Sequence, residues 1–378
     1  MRLVWATVES IRRADSAAEE LEVATDDGRP LSVAINYPAL AGKCSVGDRV
    51  LLNTTAVELG LGTGGKHFVV ARLGEGSGVG LDTPSGGHIM KLRYSPMQID
   101  VVSVESPESP AHPVMQSADD LAGMPVVCCG LHSQVPLVAA AIKQVDPACR
   151  VAYCMTDGAS LALPISDVVR ASAAEGLIDA TLSCGQAFGG DYEAVNLHSG
   201  LLAARHVADA QVAIVAIGPG VVGTATPFGH GGVAQGEAVN AVASLGGTPI
   251  LVLRLSFADS RPRHRAVSHH TLGALARVAL APAIVAVPAL PGAQAKEVDA
   301  ALNNAGVWRL HEKVRVADAN ALAPDMRGVE VATMGRGPAE DPAFFAAAFA
   351  AGVVAVGIAP GGNGIPLRRR GPDGSEVV

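Results

Sequence analysis

Apolar and polar positions alternate with period two in five short runs at the start of the chain: RLVWATVESI, LEVAT, LSVAIN, DRVLLNTT and HFVVARL. Such alternation puts one face of each run in a core and the other in solvent. Turn residues separate the runs, Asp26-Asp27-Gly28 and Gly47-Asp48 among them. Short strands at this spacing predict a small all-β, barrel-like domain over residues 1–95. Residues 96–124 then carry Pro96, Pro107, Pro110 and Pro113 among serines and acids and run up to Pro125, a linker or an extended strap.

From residue 125 to 378 the pattern changes. Short apolar runs (MPVVCC, RVAYCM, DATLSC, QVAIVAI, PILVLRL, AIVAV, GVEVAT) alternate with longer stretches of helical period. Repeated β–α alternation predicts a doubly wound, mainly parallel, Rossmann-like α/β sheet. Pro164 is expected to open one helix and Gly176 to close it. The run AFFAAAFAAGVVAVGIA, residues 343–359, approaches the length of a membrane span. Asp341-Pro342 before it reads as an N-cap and first-turn proline, Gly352 as a stop, and VVAVGI as a strand.

Composition supports a large core and narrows the partners. Apolar residues make up 49% and charged ones 17%, with aromatics at only 3%. Small and β-branched apolar side chains suit a parallel sheet covered on both faces. The net charge of −8 offers no general footprint for nucleic acid or an anionic membrane, so neither is expected as a partner. Six cysteines, none in a CxxC pair, sit mostly in apolar runs and read as reduced thiols. The start of the chain, MRLVWATVESIRR, has no signal-peptide core. A cytoplasmic location is expected; a homo-oligomer is left open.

In a doubly wound sheet, ligands sit outside the carboxyl ends of the strands. The glycines and hydrogen-bonding residues crowd that edge: GLHSQ after the first run, TDG after the second, GQAFGGD after the third, and GPGVVGTATPFGHGG at 218–232 after the fourth. The last two exceed the usual two to six residues. Gly218, Gly220 and Gly223 formally match the dinucleotide fingerprint G-x-G-x-x-G. Pro227 and further glycines would stop a helix from starting there, which the fingerprint requires. A loop whose bare amides approach an anion, and a tight loop that needs φ > 0, remain as alternatives.

After the fifth run comes SRPRHRAVSHHT, residues 260–271, with three arginines and three histidines. Ser268 can cap a helix that starts with His269-His270. Arg261, Arg263 and Arg265 would then precede a helix N-terminus, a favourable anion position. Cationic histidine is disfavoured there, so His269 or His270 should be neutral, fit for a metal or a hydrogen bond. Neighbouring helical residues point about 100° apart, which argues against both holding one ion. His230 in the preceding loop is a candidate both for the anion and, with His270, for a metal. His132, Asp157, Asp191 and His269 form the candidate acid–base set. Each also has a bland reading: turn or cap for Asp157 and Asp191, and a cap for Ser133 beside His132. Asp191 is placed directly before a helix.

As a set, GLHSQ, TDGASLAL, GQAFGGDYEAVN, GPGVVGTATPFGHGG, RPRHRAVSHHT and, upstream, GGHIMKLRYSP resemble the motif series of an uncharacterised bacterial family, a domain of unknown function of the 3866 type. The resemblance covers nearly the whole chain and implies no reaction, cofactor or catalytic residue. The residues themselves favour an enzyme acting on a small anionic substrate, phosphorylated or carboxylated. A non-catalytic nucleotide or metabolite sensor and an NAD(P)-dependent oxidoreductase are the alternatives. A divalent metal or a nucleotide is open as cofactor.

Overall fold

The five alternating runs form the strands β1 (Leu3–Ala14), β2 (Glu19–Thr25), β3 (Ala34–Asn36), β4 (Arg49–Asn53) and β5 (His67–Leu73). In the computed structural model they close into a barrel of order β1-β2-β3-β5-β4. The described residues are 1–60, 64–73, 86–317 and 325–359, with the backbone of 369–370 and 376–377. The alternation is kept: Ala6, Val8, Leu21, Val23, Val50, Leu52 and Val69 fill the barrel. Gly28, at φ +78°, closes the turn after β2 that Asp26-Asp27-Gly28 announced. A hairpin of β6 (Ile89–Lys91) and β7 (Ile99–Val101) completes a first unit, Met1–Ser109. The break to the second unit, Pro110–Val378, falls within the proline-bearing segment.

The second unit holds β8 (Pro125–Cys128), β9 (Val151–Thr156), β10 (Ala180–Cys184), β11 (Tyr192–Ala194), β12 (Val212–Ile217) and β13 (Thr248–Val252). A short antiparallel pair follows, β14 (Leu255–Ser256) and β15 (Ala266–Val267), then β16 (Ile284–Pro288) and β17 (Glu312–Val316). Eight of these make one all-parallel sheet, β11-β10-β9-β12-β8-β13-β16-β17. Helices Val135–Val145 and Pro342–Ile358 pack together on one face; Leu197–His206 and Val233–Ser244 cover the other. Tyr153 and Met155 of β9 join the first core, while Cys154 between them reaches the Gly200 carbonyl behind. The fold is doubly wound.

Several boundaries differ from expectation. Gly352 does not stop a helix, and VVAVGI is not a strand: one helix runs from Pro342 to Ile358. Gly352 serves close approach instead. A Cβ there would lie 2.6 Å from the Val138 carbonyl and 2.7 Å from Ala141 Cβ in the facing helix. Burial on all sides removed the period that would have marked the helix. Among the described residues no helix is long and apolar enough to cross a membrane. GVEVAT forms no strand of the sheet; the eighth strand is the edge segment β17, whose polar residues alternate. The helix expected from Pro164 begins at Asp167 under a Ser166 cap. Gly352→Ala is expected to cost about 1–3 kcal/mol by overpacking the helix pair. A urea titration checks it, and a loss under about 0.5 kcal/mol, the scale of a neutral surface change, would contradict the close-approach role.

Candidate functional site

Three loops leave the carboxyl ends of three neighbouring central strands, β12, β8 and β13. The chain leaves β8 toward β9 on one side and leaves β12 toward β13 on the other, so the winding reverses here. A crevice at that reversal is the expected ligand position. Two buried glutamines fix the strand ends. Gln235 Nε2 donates to the carbonyls of Cys128 and Val252, both at 2.8 Å. Gln134 accepts from Gly130 N–H at 3.0 Å and Leu131 N–H at 3.1 Å, and donates to Leu253 at 3.2 Å.

The stretch after β13 folds back on itself through the β14–β15 pair, Leu255 opposite Val267 and Ser256 opposite Ala266. That doubling returns Ser268 to the strand end, where Ser268 N donates to the Arg254 carbonyl at 2.9 Å. Ser268, fully buried, accepts from His270 N–H and sits 2.7 Å from His264 Nδ1. The loop 218–232 meets it from β12. Gly223 pairs with His230, and a Cβ at Gly223 would lie 3.4 Å from the His270 ring. At Gly232 a Cβ would lie 2.8 Å from His270 Cβ and 3.0 Å from His230 Nδ1, so the glycine at 232 admits the histidines.

Four histidines thus converge. His230 stacks on His270 with ring centroids 3.9 Å apart. His269 lies 4.4 Å from His270 and 5.4 Å from His230, and His264 lies about 5 Å from both His269 and His270. The expectation that His269 and His270 diverge is corrected here: the capped turn is only five residues long, and the two rings fold toward each other. All four are held neutral. Burial, then the neighbouring His230 and Arg254, pushes His270 down to about 2. Burial, then Arg254 and Arg261, pushes His264 to about 3. His230 and His269 are lowered too, mainly by burial.

Around them stand four guanidiniums and two carboxylates. Arg254 is 7% exposed, and burial, then Arg261, lowers it to about 10. Asp259, its side chain 3% exposed, takes Arg261 at 2.9 and 2.7 Å and lies 3.7 Å from Arg336 and 4.0 Å from Arg254. The Arg261 hydrogen bond holds its carboxyl well below the usual range. Asp341 does not cap the helix it precedes; it accepts from Ser256 at 2.7 Å and Arg336 at 3.1 Å. Arg263 is exposed and pairs with no carboxylate among the described residues. Two positive charges exceed the negative ones.

Other expected residues stand apart from this group. Arg265 pairs with Glu297 at 3.1 Å. Asp157 accepts from Gln186 N–H at 2.9 Å against Gly185. Asp191 precedes the strand β11, not a helix, and accepts from Thr181 N–H and Oγ1 at 2.8 Å. His132 contacts Tyr153 Oη at 3.1 Å and Ser166 Oγ at 2.6 Å, and burial lowers it to about 4. With Gly218 and Gly220 it lines a cavity of about 280 Å³ that reaches Thr333 and Met334. Ser133 is not a cap; Gln134 serves that turn. After β12 no helix begins before Val233, so the amides at 218–223 are not at a helix N-terminus. Arg254, Arg336 and Asp341 were missing from the expected set.

A family profile described as "Protein of unknown function (DUF3866)" matches residues 33–352. No curated protein and no solved structure matches the chain.

Proposed function

As the chain belongs to the DUF3866 family, whose function is undefined, we propose from the site itself a cytoplasmic enzyme that acts on a small anionic substrate, phosphorylated or carboxylated. The observation that carries this is the charge surplus: three guanidiniums share two carboxylates and a fourth, Arg263, pairs with none among the described residues, around imidazoles that are themselves neutral. Buried cations without matching anions are costly, and a bound anion offsets that cost. Arg263 is the exposed fork that receives the substrate, with Arg254 and Arg336 behind it. His269 Nε2, buried and without a hydrogen-bond partner, is placed for proton transfer. Six unpaired, buried cysteines support a reducing compartment.

The test is a thermal-shift screen with inorganic phosphate, phosphate monoesters, short dicarboxylates and dinucleotides, followed by turnover assays on whatever binds. A ligand that binds only the folded state raises the melting temperature. Phosphate or a carboxylate is expected to do so. Arg263→Ala should abolish the shift while changing stability by no more than about 0.5 kcal/mol, as an exposed substitution does. A shift that survives Arg263→Ala, or a shift from dinucleotides alone, overturns the assignment. Binding without turnover of any bound ester would leave a sensor.

A further inference from the structure

We propose that His230, His269 and His270 form a three-histidine site for a borderline divalent ion of the zinc class, beside the anion-holding arginines. Their ligand nitrogens all lie within 4.8 Å of one another, the one group of three or more such residues found among the described residues. Zinc–imidazole bonds of about 2.0–2.1 Å put ligand nitrogens about 3.4 Å apart in a tetrahedron. Closing the difference asks for shifts of about 1.5 Å at most, within the reach of χ rotations.

The hydrogen bonds assign a lone pair where a ligand needs one. His230 Nε2 lies 3.2 Å from the Pro227 carbonyl, which can only accept. The proton therefore sits on Nε2, and Nδ1 carries the lone pair. That Nδ1 is buried and has no partner. A ring N–H on a backbone carbonyl with the opposite nitrogen free is the usual outer-shell arrangement of a metal-bound histidine. His269 Nε2 is the second buried nitrogen without a partner; with the ion bound it is a ligand, and proton transfer passes from it to the metal-bound water. His270 faces Arg254 Nη1 at 3.4 Å from its Nδ1, a contact long enough to release. Two orphaned imidazole nitrogens in one small cluster are a cost with no structural return.

Imidazoles without a thiolate select zinc, copper, nickel or iron over magnesium or calcium. Three protein ligands leave a position for water or substrate, the pattern of catalytic rather than structural zinc. Bound there, the ion would supply an activated water and so place the reaction among hydrolyses. The surrounding arginines disfavour a bare cation, and a bound anion relieves them, so metal and anion should each raise the other's affinity. This part rests on the anion reading; occupancy of the three histidines does not.

The experiment uses the full chain, stripped with chelator, then dialysed against zinc or cobalt(II) and assayed by elemental analysis and visible absorption. One ion per chain is expected, with the intense bands of four- or five-coordinate cobalt. His269→Ala should lose both, and Arg263→Ala should keep both while losing phosphate binding. Wild-type protein that retains no stoichiometric metal, or shows only weak six-coordinate bands, overturns the metal site with no variant needed. Retained metal without any phosphate or carboxylate binding would instead overturn the anion reading and leave the metal site standing.

Discussion

Asp259→Asn is expected to lower the unfolding free energy by about 3–5 kcal/mol, the cost of leaving buried cations without their carboxylate. The Asp259 side chain is almost wholly buried and faces three guanidiniums, of which Arg254 is itself buried. Asparagine keeps the shape and one acceptor but removes the charge, so Arg254, Arg261 and Arg336 are left to repel one another. A denaturant titration at neutral pH reads the loss. Two further results should accompany it. Adding Arg254→Met should restore part of the stability, because the pair is coupled. Sulfate or phosphate should stabilise the variant more than the wild type, since an added anion takes the missing role. A loss under about 1 kcal/mol would place the pair among solvent-screened ion pairs and weaken the charge argument.

Acid should destabilise the protein well before its carboxylates titrate. The folded-state value of His132 is depressed to about 4 by burial, against about 6.5 when unfolded. Below pH 6.5 the unfolded chain takes up a proton that the folded ring refuses. The contribution is complete above pH 6.5 and falls by about 1.4 kcal/mol per unit until about pH 4, roughly 3 kcal/mol in all. His311 acts in the same direction: its Nδ1 accepts from Ala283 N–H and its Nε2 donates to the Leu275 carbonyl, an arrangement that needs one ring proton. The check is stability measured at pH 7.5 and pH 5 for wild type and His132→Gln, which can bond Tyr153 and Ser166 without titrating. The variant should lose the part of the slope due to His132; an unchanged slope would remove that residue from the account.

What the sequence revealed follows from how local each signal is. Period-two alternation located all five barrel strands because the longer ones turn one face outward; β3, only three residues and buried throughout, was found inside the alternating run LSVAIN. The β–α rhythm located β8, β9, β10, β12, β13 and β16, whose apolar runs are bounded by glycines and polar loops. It failed at Pro342–Ile358, where burial on every side erases the period, and at β17, an edge strand too polar to register. The same holds at the site. His230, His269, His270, Arg261 and Arg263 were legible because rare residue types crowd two loops. Arg254, Arg336 and Asp341 were not, because their roles depend on pairings such as Ser256 with Asp341, 85 positions apart. No local pattern encodes a contact of that range.

The helix Pro342–Ile358 also sets an order of events during synthesis. It covers the face of β8, β13 and β16, all made before it, and β8 begins more than two hundred residues earlier, at Pro125. At about 5–20 residues per second, β8 waits on the order of 10–40 s for this cover, and the three-strand face, complete only once β16 is made, about 3–10 s. A chaperone holdase has its natural target in this interval. Chains stopped before residue 341 should accordingly be cut readily by protease and bind a hydrophobic dye. Asp341, which ties Arg336 to Ser256, arrives with this same helix, so the charged site is complete only when the apolar face is covered.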